Sequence, residues 1–334
     1  MPELPEVETV VRDLRPLVVG RTIQVVRHGS KTLRKPWQTE WSAAVAGLRI
    51  EGIRRRGKWI VVDLLAPAVE RKRSKSRTAR EGEATAEPHS LHGSAGASPS
   101  RAAQASIQGE VPPAPRLIVH LGMTGQFTAV PVTDPTPDHL HVVFALDGGA
   151  ELRFRDIRRF GSVTLHPDEA AVEAFFNHNG LGPEPFGLDP AYFRKAVRGT
   201  SRTLKAVLLD QGVVSGVGNI YADEACFRAG LHPQRRGKSL TSADADRLLE
   251  SVEAVLTQAI DQRGSTIRDY IGGSGLRGGF QAEFRVYGRT GQPCPTCGEA
   301  IKCIRLSGRA SHFCPSCQGS GKPRHTAHPR AGPS

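Results

Sequence analysis

Met1-Pro2-Glu3-Leu4-Pro5-Glu6-Val7-Glu8 opens the chain, and its reading decides both the first helix and the chemistry. Val7, Val10, Val11 and Leu14 recur at i, i+3, i+4 and i+7, with Pro5 near the start, so residues 4–15 are predicted to be helical. Removal of Met1, usual where a small residue follows, leaves Pro2 as a free secondary amine with an ordinary pKa of ~8. Part of it is then unprotonated at neutral pH. Such an amine attacks an aldehyde-level carbon and forms an iminium ion, as a lysine does in a Schiff base. Glu3 and Glu6 lie within one turn and can move protons. Acidic residues around Pro5 equally suit the first turn of a helix.

Outward from this helix the pattern changes to short apolar runs at 22–26, 48–53, 59–65, 117–121, 141–146, 151–154 and 162–166. Asp147-Gly148-Gly149 forms a hairpin turn between two of them. Strands of this length and spacing predict a β-sandwich rather than βαβ units. Residues 66–115 are rich in Ala, Ser, Arg, Glu and Pro and contain no aromatic residue. They cannot bury enough apolar surface to offset ordering entropy and are expected to be a disordered insertion. The basic cluster at 71–77 within it is read as a solvated segment that could touch nucleic acid.

The second half is helical, with candidates at 190–197, 204–209, 219–229 and 243–262. The last begins at a Thr241 or Ser242 cap and ends near Gly264. Gly212-Val-Val-Ser-Gly-Val-Gly218-Asn219 lies between two helices, in a helix–turn–helix arrangement. No strand precedes it, so it is not a dinucleotide fingerprint. Either the turn offers backbone N–H groups to a phosphate, or its glycines serve backbone geometry alone. Residues 284–287 read as a strand.

With 334 residues the chain is long enough for two domains, and it contains no apolar run long enough to span a membrane. The acidic, helix-like N-terminus shows no signal peptide, and an intracellular protein is expected. The net charge of +12 suits an anionic polymer, nucleic acid above all. Cys294-Pro-Thr-Cys297 and Cys314-Pro-Ser-Cys317 have tetrahedral zinc spacing, which in a cytosolic protein favours a metal over two disulfides. Four thiolates leave no open coordination position, so this zinc is structural. Cys226 and Cys303 stand apart from the module.

Taken together, PELPEVE at 2–8, HLGMTG at 120–125, DIRRFG at 156–161, LLDQ…GVGNIYADE at 208–224 and the cysteine module at 294–317 resemble bacterial formamidopyrimidine-DNA glycosylases. The resemblance covers residues 1–65 and 116–318. It implies an α+β protein: an N-terminal β-sandwich with its N-terminal helix, then a helix–two-turn–helix domain with a four-cysteine zinc finger, DNA lying between them. The expected divisions are 1–168, 169–283 and 284–318, followed by a disordered tail at 319–334. The implied activity is a bifunctional one. Oxidised purines such as 8-oxoguanine and formamidopyrimidines are excised from duplex DNA, and β,δ-elimination then cuts the strand. The expected protein is a monomer in the bacterial cytoplasm, associated with the nucleoid through DNA. Endonuclease VIII, the family's relative acting on oxidised pyrimidines, is the alternative.

The resemblance also assigns roles. Pro2 is the nucleophile, Glu3 the proton donor and shuttle, Lys58 a participant in base removal and elimination, and Arg309 a phosphate contact acting in δ-elimination. Met123, Arg158 and Phe160 match residues that fill the gap left by a flipped base. They and the Pro-Glu-Leu-Pro start favour the purine enzyme over endonuclease VIII. His139 and Asn219 match ligands of the DNA backbone, and Asn219 tips the glycine turn towards phosphate binding. Arg202, Lys205 and Tyr287 are weaker phosphate candidates. Cys294, Cys297, Cys314 and Cys317 are the ligands of one zinc ion. Two departures stand out. The glycine-rich stretch 272–279 replaces the family's loop over the flipped base, and Gly199-Thr200-Ser201 is less basic than its counterparts.

Overall fold

The computed structural model describes residues 1–29, 31–66, 114–266, 272–273 and 275–319. Nearly all of the expected insertion, with its basic cluster, lies outside the described residues, as do the tail beyond 319 and position 274 of the glycine-rich stretch.

Helix α1 (Leu4–Val18) carries the predicted stripe, with Val7, Val10, Val11, Leu14 and Val18 fully buried. Each such side chain contributes roughly 1.5–3 kcal/mol on burial. Strands β1 (Ile23–His28), β2 (Arg49–Arg56), β3 (Trp59–Leu65), β4 (Arg116–His120), β5 (Gly125–Pro131), β6 (Leu140–Leu146), β7 (Ala150–Asp156) and β8 (Ser162–His166) form two antiparallel sheets. Their orders are β1-β6-β7-β5 and β2-β3-β4-β8. Helix α2 (Thr39–Val45) lies against β1. The predicted β-sandwich is thus present, with one strand more than expected: β5, whose polar Gln126 and Thr128 interrupt its apolar pattern.

The pleat explains why β3 and β4 read as continuous apolar runs. Ile60, Val62 and Leu64 face the sandwich core, together with Leu117 and Val119. Val61 and Ile118 point the other way, onto Val172 and Phe176 of helix α3 (Glu169–His178). That helix is a second departure from the sequence reading. Its Asp168 side chain caps it by accepting from Ala171 N at 2.8 Å.

Helices α4 (Pro190–Arg198), α5 (Leu204–Leu208), α6 (Asn219–Arg228) and α7 (Ser242–Asp261) build the second core. Caps at Asp189, Thr203 and Thr241 set three of their starts. Leu4 belongs to this helical core, whereas Val7 onward belongs to the sandwich. One helix therefore joins both halves at its first turn. A hairpin of β9 (Lys302–Leu306) and β10 (Arg309–Phe313) is the last element among the described residues and packs on α6.

Residues 284–287 are not a strand. The N–H groups of Arg285, Val286 and Tyr287 converge on the Glu224 carboxylate at 2.8–3.2 Å. A carboxylate from α6 takes the donors that a neighbouring strand would have used.

Candidate functional site

Between the sandwich and the helices lies a cleft of about 510 Å³, and its floor is built on the glycine turn before α6. Leu4 N donates to Gly216 O at 3.1 Å, and Lys58 Nζ donates to Val217 O at 2.9 Å. The Glu3 carboxylate accepts from Ile220 N at 3.1 Å and more distantly from Tyr221 N. A negative group at a helix N-terminus is favoured by both the unpaired N–H groups and the helix dipole. Gly218 makes this possible: a Cβ there would lie 2.2 Å from the Glu3 carboxyl carbon. Gly216 has φ +87°, and a Cβ on it would strike Leu4. The turn expected to serve either a phosphate or backbone geometry is in fact the seat of the chain's first residues, and two of its helix N–H groups are occupied by Glu3.

Each floor residue is held from behind. Glu6 accepts from Glu3 N at 2.8 Å, from Ser265 N at 2.8 Å and Ser265 Oγ at 2.9 Å, and from the Tyr221 hydroxyl. Gln211 clamps the glycine turn, donating to Val217 O and accepting from Gly216 N. Lys58 follows the β2–β3 turn, where Glu184 accepts from Gly57 N at 2.6 Å and from Arg55 at 2.6 Å. None of these supporting roles was read from the sequence. Gln211 lies in LLDQ, a motif already singled out; Glu184 and Ser265 lie in none.

Burial dominates the electrostatics. It pushes the Glu3 carboxyl up, Lys58 opposing and Glu6 reinforcing the change. It pushes the Lys58 ammonium down, countered by Glu3 and assisted by Arg309. Burial and Glu6 also hold the Tyr221 phenol well above its ordinary value. The floor therefore holds, in one cleft, an acid pushed towards keeping its proton and an amine pushed towards losing one, a combination suited to proton transfer.

Pro2, Glu3, Lys58, Arg309, Met123, Arg158, Asn219 and Tyr287 all line this cleft. Pro2 is buried, with Met1 exposed at its mouth. The Oδ1 of Asn219 is buried and has no hydrogen-bond partner among the described residues. At the rim Met123 is 40% and Phe160 49% exposed, and the Arg158 guanidinium lies 4.8 Å from the Phe160 ring centre. Asp156, fully buried, sets this rim: it accepts from the Thr124 hydroxyl, from Arg158 N at 3.2 Å and from Gly161 N at 2.7 Å.

Phe160, His139, Arg202 and Lys205 stand outside the lining. His139 adopts φ +63° in the turn before β6, and Arg202 pairs with Asp210 at 2.7 Å on the surface. Lys205 requires a correction. Its side chain is 0% exposed and pairs with Asp223 while donating to Asn219 O at 2.7 Å, so its ammonium cannot meet a phosphate. A second hollow, of about 790 Å³ beside His232, Arg235 and Phe313, holds none of the candidate residues.

The four paired cysteines bring their Sγ atoms within 4.8 Å of one another, with Cys294–Cys317 at 3.9 Å and Cys297–Cys314 at 3.5 Å. A zinc tetrahedron with ~2.3 Å bonds has edges of about 3.8 Å, so the sulfurs fit the ion. Four thiolates would saturate it and leave it structural.

Comparison with known proteins gives one consistent result. Residues 1–163 match the formamidopyrimidine-DNA glycosylase N-terminal domain, residues 181–270 its H2TH domain, and residues 291–319 a zinc finger found in FPG and IleRS. The chain is 35% identical to a formamidopyrimidine-DNA glycosylase of Listeria innocua and 37% identical to one of Geobacillus kaustophilus. Each alignment covers 95% of this chain and 100% of the relative. Among solved structures, a Lactococcus lactis FPG variant in complex with a Fapy-dG-containing DNA superposes with a TM-score of 0.75. It is 29% identical, over 96% of this chain and 100% of that one.

Proposed function

The chain belongs to the formamidopyrimidine-DNA glycosylase family, and from that premise we propose that it excises oxidised purines from duplex DNA and then cuts the strand. One observation carries the reading: the neighbours Pro2 and Glu3, with Lys58 and Arg309 from two distant parts of the sequence, meet in one cleft whose rim presents Met123 and Arg158. After Met1 is removed, the Pro2 nitrogen attacks C1′ of a flipped nucleotide. The C1′–N bond to the base breaks as the base takes up a proton; Pro2 loses its N–H proton, and Glu3, its carboxyl pushed up by burial, protonates O4′ as the C1′–O4′ bond breaks, which opens the sugar to the C1′ iminium. The C1′ iminium acidifies the 2′ hydrogen. Its loss to Lys58 or Glu3 expels the 3′ phosphate, and a second elimination expels the 5′ phosphate, with Arg309 at that group. Met123 wedges the base step open, and Arg158 meets the orphaned partner base.

His139, Asn219, Tyr287 and Arg202 are read as backbone contacts. Zinc holds the hairpin that carries Arg309. The protein works as a monomer in the bacterial cytoplasm, on damaged DNA. An endonuclease VIII-type preference for oxidised pyrimidines is less well supported, because Met123, Arg158 and Phe160 fit the purine enzyme's wedge.

Borohydride trapping on duplex DNA containing 8-oxoguanine tests the proposal. The expected result is a reduced crosslink mapping to Pro2, with protein retaining Met1 giving none. A processed protein that cuts without trapping would sink the mechanism. Excision of thymine glycol in preference to 8-oxoguanine opposite cytosine would shift the reading to the alternative.

A further inference from the structure

Lys205 leads to a device that the proposed chemistry does not use. Asp223, on α6, is 0% exposed and sits between two cationic or ionisable partners. Its Oδ1 accepts from Lys205 Nζ; its Oδ2 accepts from His312 N at 2.9 Å and lies 3.0 Å from His312 Nδ1. Lys205 continues the chain of contacts to Asn219 O, in the first turn of α6. His312 continues it in the other direction. It stands on β10, the strand that begins with Arg309, and its ring meets Tyr287 at 5.1 Å between centres. Asn219, Arg309 and Tyr287 all line the cleft; Asn219 is reached from this carboxylate through Lys205, Tyr287 through the His312 ring, and Arg309 along the strand that His312 stands on.

Folding alone does not call for ions here. An apolar pair of similar volume would fill the space without the desolvation cost, and such replacements are often neutral or stabilising. What the ions add is bond direction: the carboxylate fixes where the metal-bearing hairpin rests on α6, and the ammonium fixes the first turn of that helix. The geometry points to Asp223 as a positioning residue that registers the zinc hairpin against α6, so that Arg309, Tyr287 and Asn219 face one DNA backbone together. The DNA-cutting readout below rests on the proposed function; the DNA-affinity readout does not.

The test uses the full-length, zinc-loaded protein. The double variant Lys205→Met/Asp223→Leu removes both charges together, and His312→Phe keeps a ring beside Tyr287 while losing the Nδ1 contact. Zinc content and the unfolding midpoint verify the fold. Affinity is measured on duplex DNA with an uncleavable tetrahydrofuran residue, and cleavage on the same duplex with an abasic site. The double variant is expected to keep its zinc, bind at least five-fold more weakly, and shift its products at least five-fold from δ- towards β-elimination. His312→Phe should move both readouts in the same direction by less. A folded double variant that matches the wild type in both measurements overturns the inference. Should the double variant not fold, wild-type behaviour of His312→Phe overturns it. If the wild type cuts nothing but the variants still bind more weakly, the cutting mechanism fails and the positioning role stands.

Discussion

The floor and the rim of the cleft are built on opposite terms. At the floor, Glu3, Glu6 and Lys58 are 2–7% exposed, and each is tied to the glycine turn or to α6. At the rim, Met123 and Phe160 stand about half-exposed, flanked by Thr124, Arg158 and Gly161, which Asp156 holds. The floor holds charges where water would dilute their effect on each other, at a cost in stability. The rim leaves apolar surface in water, where it is useful only to a partner that covers it. Damage to the floor should therefore change chemistry and stability together, whereas damage to the rim should change affinity alone.

The largest effect should come from the hairpin that walls the floor. Cys297→Ser, or chelation, removes an ion whose binding contributes on the order of 10 kcal/mol in small zinc folds. DNA affinity should collapse while α1 and the sandwich persist; unchanged affinity in zinc-free protein would contradict this. Next is Glu3→Gln, expected to slow base removal by roughly 10²–10⁴-fold without unfolding the protein, as read in single-turnover excision. Gly218→Ala should cost about 1–3 kcal/mol and reduce excision as well, because its Cβ falls 2.2 Å from the Glu3 carboxyl carbon. Chemical denaturation and excision on the same preparation separate the two losses.

Glu3→Gln combined with Lys58→Met should do the reverse for stability, adding about 1–2 kcal/mol in the pH range where both groups are charged. The Glu3 pKa is raised, so its contribution is complete below the ordinary 4.5 and lost as pH rises through the folded value. The Lys58 pKa is lowered, so its contribution is present above the ordinary 10.5 and lost as pH falls through the folded value. Wherever both groups are charged, both are lost. The stability gap between variant and wild type should therefore narrow towards either extreme, and a gap independent of pH would refute the burial argument. The smallest changes belong to the rim. Met123→Ala and Phe160→Ala should alter stability by no more than about 0.5 kcal/mol. Both should weaken binding to lesion DNA, by roughly five- to ten-fold if each wedge contact contributes ~1 kcal/mol.

Much of this contrast was legible before any coordinates. The stripe on α1, the sandwich strands, the four helices of the second half and the tetrahedral cysteine spacing all follow from local pattern, and the structure contains them. What escaped was tertiary. Strand β5 was hidden because Gln126 and Thr128 interrupt its apolar pattern, and α3 because it has only Val172 and Phe176 fully buried. Residues 284–287 look like a strand, yet their donors belong to Glu224. Lys205 looked like a surface cation because nothing in its own neighbourhood announces Asp223 eighteen positions later. The glycine turn was rightly singled out, but no local rule says that its neighbour would be the beginning of the chain.

The junction of β3 and β4 has a consequence of another kind. Asp63 pairs with Arg116 in register, and Leu64 N donates to Pro115 O at 3.0 Å, so the hairpin is closed at its base. It closes at the strand ends opposite Lys58 and Met123, which flank the cleft at the other ends of β3 and β4. With the base closed, a longer connection adds only loop-closure entropy, about 0.6 kcal/mol for each doubling of length. This point is therefore a port: a reporter domain or surface tether spliced between residues 66 and 114 should leave the enzyme's working face unaltered.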